Sequence, residues 1–224
     1  MTPASKLPSP VLCLVTDRRL VGGENGLIAA VDGAVGGGVN IVQLREKDLS
    51  SSALLDLALE LKGVIRGRAL LLVNSDYAVA KRAGADGVHL PEYMFEQAVA
   101  ARAVLGDAAL IGRSAHHYAS GGSDAMFIGT ENVDFLVLGT IFDSRSHPSG
   151  ETIGLTALKS FCSDTDMPVI GIGGIDSSNA RHVVEAGAAG VAVISAILGA
   201  QDPRKAAAEL MARITLGSSP SAAQ

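Results

Sequence analysis

Short, almost unbroken apolar runs rich in Val, Ile and Leu recur along the chain: VLCLV at 11–15, NIVQL at 40–44, ALLLV at 69–73, DGVHL at 86–90, ALIG at 109–112, DFLVLG at 134–139, PVIGIG at 168–173 and GVAVI at 190–194. A strand covered on both faces reads this way, because neither face needs polar side chains; it is the mark of a parallel sheet. The stretches between them follow a helical period. Across 51–66, Leu54, Leu57, Ala58 and Leu61 share one face, and Lys62 and Arg66 fall off that stripe. A phrase of small residues also repeats ahead of strands, as GGGVNIVQL (36–44), RAGADGVHL (82–90) and EAGAAGVAV (185–193). Glycine past a helix end takes the left-handed backbone that closes the helix and turns the chain into the next strand. Strands alternating with helices predict a parallel α/β protein. An open doubly wound sheet is the alternative. The count of eight, and the lack of GxGxxG after the first strand, favour a closed (β/α)8 TIM barrel in a single domain. The boundaries expected are an N-terminal extension over 1–10, the barrel over 11–216 and a disordered tail over 217–224.

Composition narrows the partners. At 224 residues, 48% of them hydrophobic and 18% charged, the chain suits one barrel with one continuous core and excludes disorder. A net charge of −5 without a Lys/Arg cluster argues against nucleic acid. No window approaches the roughly 18 uninterrupted apolar residues of a membrane span. The first apolar run ends at Asp17, too short for a signal-peptide core, so a cytoplasmic location is expected. Cys13 and Cys162 each sit in an apolar run and read as reduced, buried thiols, and no Cys/His spacing suggests zinc. A homo-oligomer is neither required nor excluded.

In such a barrel the ligand site is built at the C-terminal ends of the strands. The second strand ends in Gln43-Leu44-Arg45-Glu46-Lys47, and alternation sends Gln43, Arg45 and Lys47 to one side. Two cations at a strand mouth suit an anionic ligand; a rim salt-bridged to Glu46 and Asp48 is the plainer alternative. Asn74 ends the third strand, His89 lies at the end of the fourth, and the fifth runs into Arg113-Ser114-Ala115-His116. After the sixth strand, Ser144, Arg145, Ser146 and His147 offer hydroxyls and positive partners to a phosphate, although a solvated loop would read the same. Gly173 and Gly174 follow the seventh strand, and Ile194 and Ser195 lead from the eighth into a helix. Backbone N–H groups and a helix dipole at these two loops form the usual phosphate site of the fold. A small phosphorylated molecule is therefore the expected ligand.

The ordered set LVTD (14–17), VQLREK (42–47), VN (73–74), AGADGVHL (83–90), IGRSAH (111–116), LGTIF (138–142), IGGI (172–175) and VAVISAI (191–197) resembles the thiamine phosphate synthase family. The resemblance spans about residues 11–200 and implies a (β/α)8 barrel from one of two branches. One couples a pyrimidine diphosphate to a thiazole phosphate with Mg2+. The other isomerises a thiazole carboxylate phosphate into its aromatic tautomer. Departures from the family pattern separate them. Where the synthase has Asn-Asp-Arg after the third strand, this chain reads Asn74-Ser75-Asp76, and the metal-binding Asp position holds Ser75. Where the synthase follows His-Leu with Gly-Gln-x-Asp, this chain reads Pro91-Glu92-Tyr93-Met94, with Met94 at the second metal carboxylate. Thr-x-Thr-Lys after the sixth strand becomes Ser144-Arg145-Ser146-His147, which keeps the hydroxyls and loses the Lys. HLPE (89–92) and IGRSAH (111–116) resemble the tautomerase branch, whose proposed acid/base falls on His116.

The resemblance thus implies a thiazole tautomerase with His116 as catalytic residue and no cofactor required. Substrate contacts are expected from Gln43, Arg45, Lys47, Asn74, His89, Ser114, Ser144, Ser146 and His147, and phosphate contacts from Gly173, Gly174, Ile194 and Ser195. The neighbouring His117 has the opposite parity and is expected to face outward. Two alternatives stay open: a Mg2+-dependent synthase whose metal site Asp76 or Glu92 rescues, and a non-catalytic binder of a thiamine-pathway phosphate.

Overall fold

Each of the eight apolar runs forms a strand. The computed structural model describes residues 7–94, 96–115, 131–143 and 152–218. Strands β1 (Val11–Val15), β2 (Ile41–Leu44), β3 (Leu70–Asn74), β4 (Gly87–Leu90), β5 (Leu110–Ala115), β6 (Phe135–Leu138), β7 (Val169–Ile172) and β8 (Gly190–Val193) pair in parallel and in chain order. β8 returns to β1 with Val11 opposite Gly190, which closes the barrel. Around it lie α1 (Glu24–Gly36), α2 (Ser51–Ile65), α3 (Tyr77–Ala83), α4 (Gln97–Leu105), α5 (Gly154–Ser163), α6 (Ala180–Glu185), the single turn α7 (Ser195–Leu198) and α8 (Pro203–Ser218). Short 3-10 turns at Arg18–Val21 and Glu92–Met94 follow β1 and β4.

Alternation sorts each strand into two cores. Outward residues such as Leu12, Leu14, Val42, Leu44, Leu71, Val73, Leu136 and Leu138 pack against the helices. Inward residues Val11, Cys13, Val15, Ile41, Leu72, Leu110, Phe135, Val137, Ile170 and Ala192 fill the barrel. Phe135 is accommodated because β5 offers Gly112 opposite it; a Cβ there would lie 2.2 Å from the ring's Cζ. The predicted stripe Leu54, Leu57, Ala58 and Leu61 of α2 is buried. Ser50 caps that helix by accepting from the Ala53 N–H at 3.3 Å, and Gly84, at φ 61, closes α3 in the left-handed form expected of the repeated phrase.

The N-terminal ends of the strands share one device. Asn40, Asp86 and Asp134, each just ahead of an even-numbered strand, accept from Leu12 N (2.9 Å), Leu71 N (2.8 Å) and Ile111 N (2.8 Å) on the strand before. Lys62 then reaches Asp86 at 3.0 Å, and Arg102 reaches Asp134 at 2.7 Å.

Two expected boundaries shift. Leu7, inside the presumed extension, is buried among the inward residues of the barrel. At the other end α8 runs through Ser218, so Gly217 and Ser218 are helical instead of the start of a tail. Gly217 is pressed against α6, where a Cβ would meet the Arg181 carbonyl oxygen at 2.9 Å, and Ser218 Oγ donates to the Ile214 carbonyl at 2.8 Å. Residues 219–224 lie outside the described residues. Cys13 is buried and Cys162 half-buried, both free, and burial pushes their thiols up to about 12 and about 11. No helix among the described residues is long and apolar enough to cross a membrane.

Candidate active site

The register of β2 to β5 brings four expected residues together. Gln43 lies opposite Leu72, Asn74 opposite His89, and His89 opposite Gly112, two residues before Ser114. Alternation points all four inward, above the apolar filling. Gln43 Nε2 donates to Asn74 Oδ1 at 3.0 Å and lies 3.1 Å from His89 Nδ1. His89 Nε2 lies 3.4 Å from Ser114 Oγ, and Asn74 Nδ2 donates to Ser75 Oγ at 2.8 Å. β5 continues to Ala115, so Ser114 stands in the strand itself, and the outward Arg113 is buried opposite Leu90. Desolvation lowers the Arg113 pKa from its ordinary value, and the negative charge of Glu92 works against that shift.

The two cations of β2 stand apart from the ion-pair network beside them. Glu46 and Asp48 both pair with Arg18, at 2.9 Å and 2.7 Å, in place of the salt-bridged rim considered above. Among the described residues neither Arg45 nor Lys47 forms an ion pair. Arg45 instead repels the Lys47 ammonium and, with burial, holds it below its ordinary pKa, so the two converge. Thr16 Oγ1 accepts from the Arg45 N–H at 2.9 Å and fixes the backbone there. Arg45 also helps hold the Asp17 carboxyl below its ordinary pKa, and two convergent cations with no ion pair among the described residues suit an anion. Sequence reasoning missed Arg18 and Thr16, because only the β1–β2 register brings them to residues some 30 positions away.

Across the mouth the chemistry is that of backbone. β7 and β8 are neighbours, so Gly173-Gly174 and Ile194-Ser195 leave the barrel side by side. Gly173 and Gly174 have φ of 102° and 62°. A Cβ would meet Thr140 Cγ2 at 2.5 Å in the first case and the Asp143 carbonyl oxygen at 2.3 Å in the second. The pair is therefore demanded by the loop after β6 as well as by any ligand. Both glycine carbonyls are engaged, by Phe142 N at 3.1 Å and Asn179 Nδ2 at 2.9 Å, which leaves N–H groups as what this turn offers an anion.

The donors present do not fit the family's metal. Ser75, with φ 67°, supplies a neutral hydroxyl, which accepts from Asn74, in place of a carboxylate. Met94, partly buried, packs against the apolar cluster of Val88, Leu90, Ala98, Ala101 and Ile111, so its position contributes a thioether where a hard cation needs oxygen. The carboxylates that might replace them have partners of their own. Asp76 caps α3 through Val79 N (2.8 Å) and accepts from Ser51 Oγ (2.9 Å), and Glu92 acts on Arg113. An open cavity of about 400 Å3 lies beside these residues, lined by Ser75, Asp76, Tyr77 and Ala78. A larger hollow of about 510 Å3, between Leu20, Ala29, Leu198 and Pro203, is lined by no titratable side chain. His116, His117, Ser144, Ser146 and His147 lie outside the described residues.

A family model described as thiamine monophosphate synthase matches residues 12–197. A Geobacter sulfurreducens protein provisionally named thiamine-phosphate synthase is 43% identical over 203 residues, covering 90% of this chain and 92% of its own. The thiamine-phosphate synthase of Roseiflexus castenholzii is 38% identical over 198 residues, covering 88% and 84%. Among solved structures, thiamine phosphate pyrophosphorylase from Pyrococcus furiosus superposes with a TM-score of 0.80 at 30% identity, covering 96% of this chain and 98% of that one.

Proposed function

Because the chain belongs to the thiamine monophosphate synthase family, we propose that its part in thiamine biosynthesis is a metal-independent isomerisation of a thiazole carboxylate phosphate. The observation that carries this reading is the pair Ser75 and Met94. A diphosphate leaving group needs a divalent cation held between carboxylates, and here one position is a hydroxyl and the other a partly buried thioether packed against an apolar cluster. Isomerisation has no such requirement. A proton leaves the ring carbon beside the carboxylate and is returned to the exocyclic carbon, and the ring becomes aromatic. One neutral imidazole can take the proton and give it back, the role assigned to His116, which shares its parity with Ser114. Arg45 and Lys47 suit the substrate's carboxylate, and the loops at Gly173, Gly174, Ile194 and Ser195 suit its phosphate, with Ser144, Ser146 and His147 as further contacts.

The names of the relatives favour a second reading, the Mg2+-dependent coupling of a pyrimidine diphosphate to thiazole phosphate; none of the three relatives reported above is named a tautomerase. Two incubations of pure protein separate the readings. One supplies the non-aromatic thiazole carboxylate phosphate; the other supplies hydroxymethylpyrimidine diphosphate, thiazole phosphate and Mg2+. Conversion in the first alone supports the isomerase. Robust formation of thiamine phosphate in the second replaces it with the synthase. Inertness in both, with tight binding of thiazole phosphate, would leave a non-catalytic binder.

A further inference from the structure

Gln43 and His89 were expected to touch the substrate, yet each is only 4% exposed and their polar atoms face one another. We propose that they are positioning residues that set the direction of a single hydrogen-bond chain, so that Ser114 meets the ligand as a donor. The ligand half of this proposal rests on the reading of the mouth given above.

The direction follows from counting hydrogens. An amide nitrogen has two, and Gln43 Nε2 sends one to Asn74 Oδ1 at 3.0 Å and has His89 Nδ1 at 3.1 Å for the other. A ring nitrogen facing a donor must present its lone pair, so the neutral imidazole carries its hydrogen on Nε2. That N–H faces Ser114 Oγ at 3.4 Å. A hydroxyl that accepts from one side directs its own hydrogen to another, and the half-buried Ser114 stands at the top of β5, facing the mouth. Asn74 cannot reverse the chain without breaking its own pattern, since its Oδ1 accepts from Gln43 and its Nδ2 donates to Ser75. The group bound at Ser114 is therefore a hydrogen-bond acceptor; with the phosphate assigned to the loops after β7 and β8, the carboxylate, shared with Arg45 and Lys47, is the acceptor that remains for it.

Long-range nitrogen–proton NMR spectra of histidine-labelled wild-type protein, in mildly alkaline buffer where imidazole is neutral, read the tautomer directly. The His89 signal, identified by its loss in His89→Gln, is expected in the Nε2–H pattern; an Nδ1–H pattern overturns the proposal. Calorimetry reads the consequence. Ser114→Ala should weaken binding of the aromatic thiazole carboxylate phosphate roughly tenfold to hundredfold, as for a hydrogen bond to a charged group, and leave thiazole phosphate lacking the carboxylate unaffected. Gln43→Glu places an acceptor against Nδ1, so it should flip the His89 tautomer and produce the same selective loss with Ser114 still present. Equal weakening for both compounds would show a merely structural role. If wild-type protein binds neither compound, the functional reading fails, and the tautomer spectrum alone decides whether the chain runs this way.

Discussion

Asp86 and Asp134 at the N-terminal end of the barrel and Arg45 and Lys47 at its C-terminal end are all charged residues within a few positions of a strand terminus. Their circumstances differ completely. Each aspartate accepts from a backbone N–H of the preceding strand and from a cation on a helix, Lys62 in one case and Arg102 in the other. Arg102 also donates to the carbonyls of Gly106, Ala109 and Asn132, so one guanidinium ties α4 to the lead-ins of two strands. At the opposite end the local acids are drawn to Arg18, and the two cations of β2 are left facing one another. The two aspartates are used up on the chain, whereas Arg45 and Lys47 form no ion pair among the described residues and stand ready for a ligand. The same fold rule separates stability from chemistry in barrels generally.

That contrast is open to attack by mutation. The largest effect is expected at His116: His116→Ala should lower the isomerisation rate by roughly 10²- to 10⁴-fold with little change in melting temperature, while His117→Ala does almost nothing. If His116→Ala lowers the melting temperature and spares the rate per folded molecule, His116 is structural. Next comes the other end of the barrel. Asp134→Ala strands the mostly buried Arg102 and the Ile111 N–H and should cost about 2–3 kcal/mol in chemical denaturation, with ligand affinity of the folded protein unchanged. A stability-neutral Asp134→Ala would dissolve the comparison. Smaller still, Arg45→Ala or Lys47→Ala should weaken binding of a phosphorylated, carboxylate-bearing ligand by about tenfold and leave stability within about 0.5 kcal/mol of wild type, since neither takes part in an ion pair among the described residues. Loss of stability without loss of affinity would place them with the structural charges.

Much of this molecule could be read before it was seen, for a physical reason. Strands covered on both sides must be apolar throughout, so all eight announced themselves; alternation put Gln43 on one side with Arg45 and Lys47, and Asn74, His89 and Ser114 were singled out by standing at strand ends, where the fold builds its site. What alternation cannot supply is register. Without it, Glu46 and Asp48 looked like partners for Arg45 and Lys47, although the β1–β2 pairing delivers Arg18 to them instead. Without it, too, Leu7 read as part of an extension and Gly217 as part of a tail, whereas packing against the barrel interior and α6 draws both into the fold. Gly173 and Gly174 were read for what they offer a phosphate; their close fit against Thr140 and the Phe142–Asp143 carbonyls depends on a loop whose path no local pattern reveals. The Gln43–His89–Ser114 chain is a further case, since spacing names its members and only three-dimensional geometry gives it a direction.

The central claim is that Ser75 and Met94 have removed the metal from this chemistry. The most direct measurement is the rate of thiazole carboxylate phosphate isomerisation in EDTA beside the rate in Mg2+, with a Mg2+ titration of the wild type and of the Ser75→Asp, Met94→Asp double variant. Equal rates are predicted, with no wild-type site tighter than about millimolar and a gain of Mg2+ affinity in the double variant. A rate that collapses in EDTA, or a tight wild-type Mg2+ site accompanied by Mg2+-dependent formation of thiamine phosphate, would contradict the account.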